Sequence, residues 1–131
     1  MRRLLLDTHV FLWWLSDDPA LGAAVRQMIG EPRNQVLVSA ASIWEISIKQ
    51  AKGMLEAPED LEALVEDEGF TKLPISLFHG QQAGKLPEIH RDPFDRMLIW
   101  QAIQRDMTLV SGDPEFKKFK SDGLRFFGNS P

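Results

Sequence analysis

Four acidic residues set out the chemistry open to this sequence: Asp7, Glu45, Asp95 and Asp113. Asp7 follows the apolar run "LLL", Glu45 lies one turn into a helical stretch after "VLV", and Asp113 follows "TLVS" by a single glycine. Asp95 opens a helix in "HRDPFDRMLIWQA". Its neighbours at i+3, i+4 and i+7 are Leu98, Ile99 and Ala102, so it begins an apolar stripe rather than the polar one carrying Gln101, Gln104 and Arg105. Glu45 has Ala41 and Ile48 at comparable helical spacing. Carboxylates gathered in a partly apolar pocket repel one another, and protonation or a divalent cation relieves the repulsion. Oxygen ligands without histidine or cysteine suit Mg2+ or Mn2+ rather than zinc. Such an ion keeps several waters, lowers the pKa of one that attacks, and leaves positions for phosphate oxygens; two ions would clamp the attacking and leaving oxygens. The implied chemistry is hydrolysis of a phosphodiester.

Each acid also has an ordinary structural role. Asp92 before Pro93 reads as a helix N-cap, and Asp95 then suits the helix dipole or caps the first turn. Ser42 to Glu45 fits a capping box, Asp113 before Pro114 fits an N-cap, and Asp7 begins a turn. Singly these roles suffice. They do not explain why four capping acids gather on one side of a sheet.

That gathering follows from the elements. "RRLLL", "QVLVS", "FTKLPIS", "MTLVS" and "LRFF" read as strands, with "FTKLPIS" at an edge because Pro74 cannot donate to a central ladder. Between them lie helical stretches: "VFLWWL"; "DDPALGAAVRQMIG" with Asp18 as N-cap, Pro19 at the first position and Gly30 as terminator; "AASIWEISIKQAKG", ending at Gly53; "PEDLEALVEDEG"; the weaker "LFHGQQAGKLP"; the helix from Asp92; and the short "PEFKKF". Continuously apolar strands alternating with helices imply an α/β fold with a parallel sheet covered on both faces. In such sheets a ligand sits outside the carboxyl ends of the strands, where all four acids can point.

The balance of 44% hydrophobic and 26% charged residues over 131 positions is that of one soluble domain spanning residues 1–131, without repeats or a dividing linker. With no cysteine there is no disulfide framework or thiolate metal site, and a reducing cytoplasm is compatible. "MRRLLLDTHVFLWWLSDD" superficially looks like a signal peptide, but Asp7, Thr8 and His9 interrupt it, and no run is long enough to span a membrane. A net charge of -4 argues against nucleic-acid binding by bulk electrostatics, though not against an enzyme whose acids hold cations where a phosphate approaches. Arg2, Arg3, Lys49, Lys52, Arg91, Arg96 and the "KKFK" at 117–120 are candidates for backbone contact, against the ordinary reading of solvated surface.

"LLLDTHVFLWWL", "VSAASIWEISIK", "LPEIHRDPFDRMLIWQA" and "LVSGDPEF" together closely resemble the PIN-domain toxins called VapC, the ribonuclease half of bacterial and archaeal toxin-antitoxin pairs. Four motifs in order, from the first strand to the last, are far more specific than any one of them. The resemblance implies a PIN-like three-layer α/β/α sandwich, Mg2+- or Mn2+-dependent RNA cleavage in the cytoplasm, homodimerisation, and inhibition by a VapB antitoxin within a higher-order complex. By motif position Asp7, Glu45, Asp95 and Asp113 are the family's metal-binding acids, with Thr8 and Ser111 where supporting hydroxyls occur. Ser111-Gly112-Asp113 departs from the commoner Thr-x-Asp form, which touches the role of Ser111 more than that of Asp113.

His9, His79 and His90 lack metal-ligand spacing, so capping, packing or surface roles are expected of them. Trp13, Trp14, Trp44 and Trp100 are able to stack bases but more often pack in cores or interfaces. Trp13 and Trp14 are adjacent and cannot both face one core, which leaves one for a dimer or antitoxin surface. A haloacid-dehalogenase phosphatase requires an Asp two residues after the first, where this chain has His9; a phospho-receiver requires a lysine after a late strand, where Gly112 and Asp113 stand. A PIN-like module that binds without catalysis remains as the alternative from another class.

Overall fold

The structure, a computed structural model, describes residues 1–86 and 92–131; His90 and Arg91 lie outside the described residues. The chain runs β1 (Arg3–Leu6), α1 (Thr8–Ser16), α2 (Ala23–Gly30), β2 (Gln35–Ser39), α3 (Ala40–Ala51), α4 (Leu61–Asp67), β3 (Thr71–Leu73), α5 (Leu77–Ala83), α6 (Pro93–Arg105), β4 (Thr108–Ser111), a 3-10 helix (Pro114–Asp122) and β5 (Arg125–Gly128).

The strands form one sheet in the order β3-β2-β1-β4-β5, every pairing parallel. Alternation along the strands splits the core into two layers. Leu4, Leu6, Val36, Val38 and Val110 face α1, α2 and α4 through Val10, Phe11, Val25, Ile29, Leu61 and Val65. Leu5, Leu37 and Leu109 face α6 and the 3-10 helix through Leu98, Ile99, Ala102, Phe116 and Phe119. Helix α3 contributes Ile46 to one layer and Ala41 to the other. The α/β/α sandwich and the edge position of β3 thus follow the expectation from the sequence.

Three local expectations change. Asp18 and Pro19 do not start α2; Asp18 instead holds a turn, its Oδ1 accepting from Ala20 N at 2.8 Å and its carbonyl from Leu21 N at 3.0 Å. The helix begins after Gly22, whose N–H donates to Asn129 Oδ1 at 2.7 Å while Asn129 Nδ2 donates to the Ala20 carbonyl at 2.8 Å. A Cβ at Gly22 would stand 1.9 Å from the Ser130 carbonyl oxygen, so the close approach of the last residues fixes a glycine there. Second, the cap of α3 is Ser39, which accepts from Ala41 N at 3.0 Å, and not Ser42. Third, Gln101 leaves the polar stripe. It is fully buried, accepting from Ser39 Oγ at 2.6 Å and donating to the Pro74 carbonyl at 3.2 Å. Sequence spacing alone shows neither a partner two elements away nor which of two nearby serines ends a strand.

Candidate active site

In the strand order the chain moves outward from β1 to β2 and β3, then returns to the other side of β1 as β4 and β5. The direction reverses between β1 and β4. Beside such a reversal, the carboxyl ends of the strands are where parallel α/β sheets form a ligand crevice. Asp7 leaves β1 at this point and Ser111 ends β4 beside it.

Asp7 caps α1, its Oδ1 accepting from Val10 N at 2.9 Å, and its own N–H donates to the Val110 carbonyl at 3.0 Å. Oδ2 accepts from the Ser111 hydroxyl. The carboxyl is buried, and burial raises its pKa above the ordinary 3.8; the Ser111 and Val10 donors and the charge of His9 oppose that rise, while Glu45 adds to it. The cap and the candidate ligand are the same side chain, held still by the helix it starts.

Glu45 stands in the second turn of α3, beyond any capping position, and is 4% exposed. Its Oε1 accepts from the Thr8 hydroxyl at 2.6 Å and its Oε2 from Lys49 Nζ at 2.7 Å. Hydrogen bonding to Glu45 pushes the Lys49 ammonium above its ordinary 10.5; burial opposes this, and the charges of Glu45, Asp92 and Asp95 add to it. Thr8 thus joins the Glu45 side of the crevice to the residue after Asp7. One turn before Glu45, the Ser42 hydroxyl is buried without a hydrogen-bond partner among the described residues.

Asp113 caps the 3-10 helix, accepting from Glu115 N at 2.9 Å, while its own N–H donates to Ser111 Oγ at 3.0 Å. Ser111 is therefore the hinge of the pair: one hydroxyl accepts from Asp113 and donates to Asp7. Gly112 between them leaves room for Trp13, whose ring carbons would lie 3.4 Å from a Cβ at that position. The N-cap of α6 is Asp92, which accepts from Phe94 N at 2.8 Å and Asp95 N at 3.2 Å. Asp95 is half-buried in the first turn, and its charge acts on the Lys49 ammonium. The stripe it opens is buried at Leu98, Ile99 and Ala102.

Among the described residues no three acidic or histidine side chains converge on one ion position. The donor set is nonetheless that of a hard cation: carboxylates and hydroxyls, with a buried Asp7 whose contacts are a hydroxyl and a backbone N–H.

The family model described as PIN domain matches residues 4–121. The chain belongs to the PIN domain family. Among solved structures, this PIN domain is similar to VapBC2 from Rickettsia felis bound to a promoter DNA fragment, with 15% identity over 96% of this chain and 98% of that one and a TM-score of 0.70. DNA-bound VapBC from Salmonella typhimurium has 19% identity over 98% of both chains, TM-score 0.69. VapBC-5 from Mycobacterium tuberculosis has 16% identity over 98% of this chain and 99% of that one, TM-score 0.63. A comparison with curated proteins found no match.

Within the PIN domain the two adjacent tryptophans diverge, as their adjacency requires. Trp13 lies against Gly112 and 6.1 Å from His9, while Trp14 lies 6.2 Å from Phe70; both are half-buried. The exposed tryptophan is Trp44, at 60%, edge-on to Phe94 at 5.2 Å. His79 completes a capping box, its N–H donating to Ser76 Oγ at 3.1 Å and its Nδ1 accepting from Ser76 N at 3.2 Å. In the sequence Lys49 stands only among the cations able to contact a nucleic-acid backbone. Its i+4 spacing from Glu45 was the available signal, and only the buried setting of Glu45 gives that spacing weight.

Proposed function

We propose that this PIN-domain protein is a divalent-metal-dependent endoribonuclease of the VapC type, the toxin of a type II toxin-antitoxin pair. The observation that carries the reading is the joining of Asp7, Ser111 and Asp113 by one hydroxyl at the switch point of a parallel sheet, with Thr8 joining Glu45 to the same crevice. Asp7 and Asp113, with Asp95 and Glu45, would hold Mg2+ or Mn2+. When bound, the ion supplies an acidified water and neutralises charge on the phosphodiester. Ser111 and Thr8 orient the carboxylates, and the caps of α1 and the 3-10 helix keep them from swinging away.

The structural neighbours are VapBC complexes, which supports a VapB-type antitoxin as partner. An apolar antitoxin segment would lie along the early helices at the partly exposed faces of Trp13 and Trp14. Substituting Trp14, and in parallel Trp13, by Ala and by Glu then weakens the complex. Exposed Trp44, Leu77 and Phe78 supply apolar surface for a homodimer. Among the described residues no helix is long and apolar enough to cross a membrane.

The decisive assay is RNA cleavage by purified protein with and without EDTA, with the new ends sequenced. Asp7→Asn and Asp95→Asn each remove cleavage while far-UV circular dichroism stays unchanged. Near wild-type activity of either variant, or cleavage indifferent to EDTA, overturns the reading. The alternative, a PIN-like module that binds RNA or protein without cutting, draws on the separation of the acids. It predicts RNA or protein binding with no new ends under any metal.

A further inference from the structure

The two most buried acids of the crevice are compensated in different ways. Glu45 is met by a charge, since Lys49 Nζ sits 2.7 Å from Oε2, and by the Thr8 hydroxyl on Oε1. Asp7 is met by a backbone N–H and the Ser111 hydroxyl. The pairing of Glu45 and Lys49 also differs from an ordinary surface pair at i and i+4: the Glu45 side chain is 6% exposed and the Lys49 side chain 30%. A carboxylate so buried is held in its charged form by a counter-charge when no other cation is present. Lysine supplies one as a compact ammonium on a four-carbon stem with free rotation, and such a group is able to leave as well as to stay. The charges of Asp92, the N-cap of α6, and Asp95 in its first turn also act on this ammonium.

We propose that Lys49 is a built-in counter-ion of the crevice: it occupies Glu45 in the metal-free protein, competes with a divalent ion for that carboxylate, and on displacement meets the phosphodiester backbone of RNA. The inference rests on the nuclease reading. A divalent ion brings twice the charge to Glu45 and leaves the ammonium without its nearest partner. Its remaining third of exposed surface then gives it access to an anion in solution. Phosphate oxygens are the anions that RNA presents, and three rotatable ammonium donors reach them without a fixed geometry. Lys49 would thus be spent on the protein in one state and on the substrate in the other.

The test measures metal and RNA binding separately, without cleavage. Mn2+ binding is followed by calorimetry for wild type, Lys49→Met and Lys49→Arg, with circular dichroism to establish that each is folded. Lys49→Met binds Mn2+ more tightly than wild type, by about fivefold or more, the lower end of typical coupling between two bound groups. Lys49→Arg, which keeps the charge, stays near wild type. A labelled 2′-O-methyl single-stranded RNA of mixed sequence is then titrated in EDTA and in Mn2+. Mn2+ raises the RNA affinity of wild type more than that of Lys49→Met, and the salt dependence in Mn2+ loses about one phosphate contact in the variant. Wild type that binds Mn2+ while Lys49→Met binds it no tighter overturns this inference and leaves the nuclease reading standing. Wild type that binds no Mn2+ overturns both.

Discussion

The Ser111 hydroxyl donates to Asp7 Oδ2 across 104 residues of chain, and the same oxygen accepts from Asp113 N at 3.0 Å. Ser111→Ala therefore takes a donor from one acid and an acceptor from the backbone of another, at a hydroxyl that is itself fully buried. A loss of about 1–3 kcal/mol is expected for leaving such groups unpaired. Cleavage should fall further than stability does, because both acids lose their alignment. Ser111→Thr keeps the hydroxyl and should recover most of both. Denaturant unfolding beside the cleavage assay separates the two effects; an alanine variant that is destabilised yet fully active would make Ser111 structural only.

The raised pKa of Asp7 gives a pH dependence with a definite sign. Burial, its largest cause, makes the folded protein hold this proton to higher pH than the unfolded chain, whose value is near the ordinary 3.8. Between the two values the folded state binds more protons. Stability of the metal-free protein therefore declines as pH rises from that ordinary value through the folded one. Asp7→Asn lacks this slope. A divalent ion requires the ionised carboxylate, so the stabilisation by Mn2+ grows with pH over the same window. Melts in EDTA and in Mn2+, stepped upward from about pH 4, read both slopes.

Asp95 lies behind a cap that is already complete, since Asp92 accepts both Phe94 N and Asp95 N. If its carboxylate served only the helix dipole, Asp95→Asn would be slightly less stable in EDTA and would gain as much from Mg2+ as wild type. Membership of a crowded acidic site predicts otherwise: the variant melts at or above wild type in EDTA and gains less from Mg2+. For scale, a site filled at a hundredfold excess over Kd adds about 2.7 kcal/mol. Thermal melts of both proteins over graded Mg2+ decide between these outcomes.

Gly22 provides a test remote from the acids. Gly22→Ala drives a Cβ into the Ser130 carbonyl, and either α2 or the last residues must shift. A cost of about 1–3 kcal/mol is expected from such overpacking. Loss of the Asn129 bonds to Gly22 and Ala20 should leave the C-terminus open to carboxypeptidase. A variant as stable and as protease-resistant as wild type would show that the contact is not formed.

The sequence by itself determined the order of strands and helices, the parallel sheet, and the four acids that follow or precede the strand ends. These were legible because side-chain periodicity and caps are local: "LLL" before Asp7, Asp92 before Pro93, and Asp113 before Pro114 each carry their signal within a few residues. Capping does not compete with the proposed ligand role for Asp7 and Asp113: each caps a helix through one carboxylate oxygen at the carboxyl end of the sheet.

Only the tertiary structure decided which groups answer these acids. Ser111 reaches Asp7 because β1 and β4 are neighbours in the sheet although far apart in the chain. Thr8 reaches Glu45, already paired with Lys49 one turn along α3, because α1 packs near α3, and Gln101 is buried because Ser39 and Pro74 meet it from other elements. Trp13 and Trp14 divide between Gly112 and Phe70 by the direction each side chain takes from α1. Asp18 lost the start of α2 to a contact made by residues 129 and 130. For Asp7, Glu45 and Gln101 the physical reason is shared: a buried polar group is satisfied by whatever the packed fold brings within hydrogen-bond reach, and Ser111, Thr8 and Ser39 are neighbours that spacing along the chain does not encode.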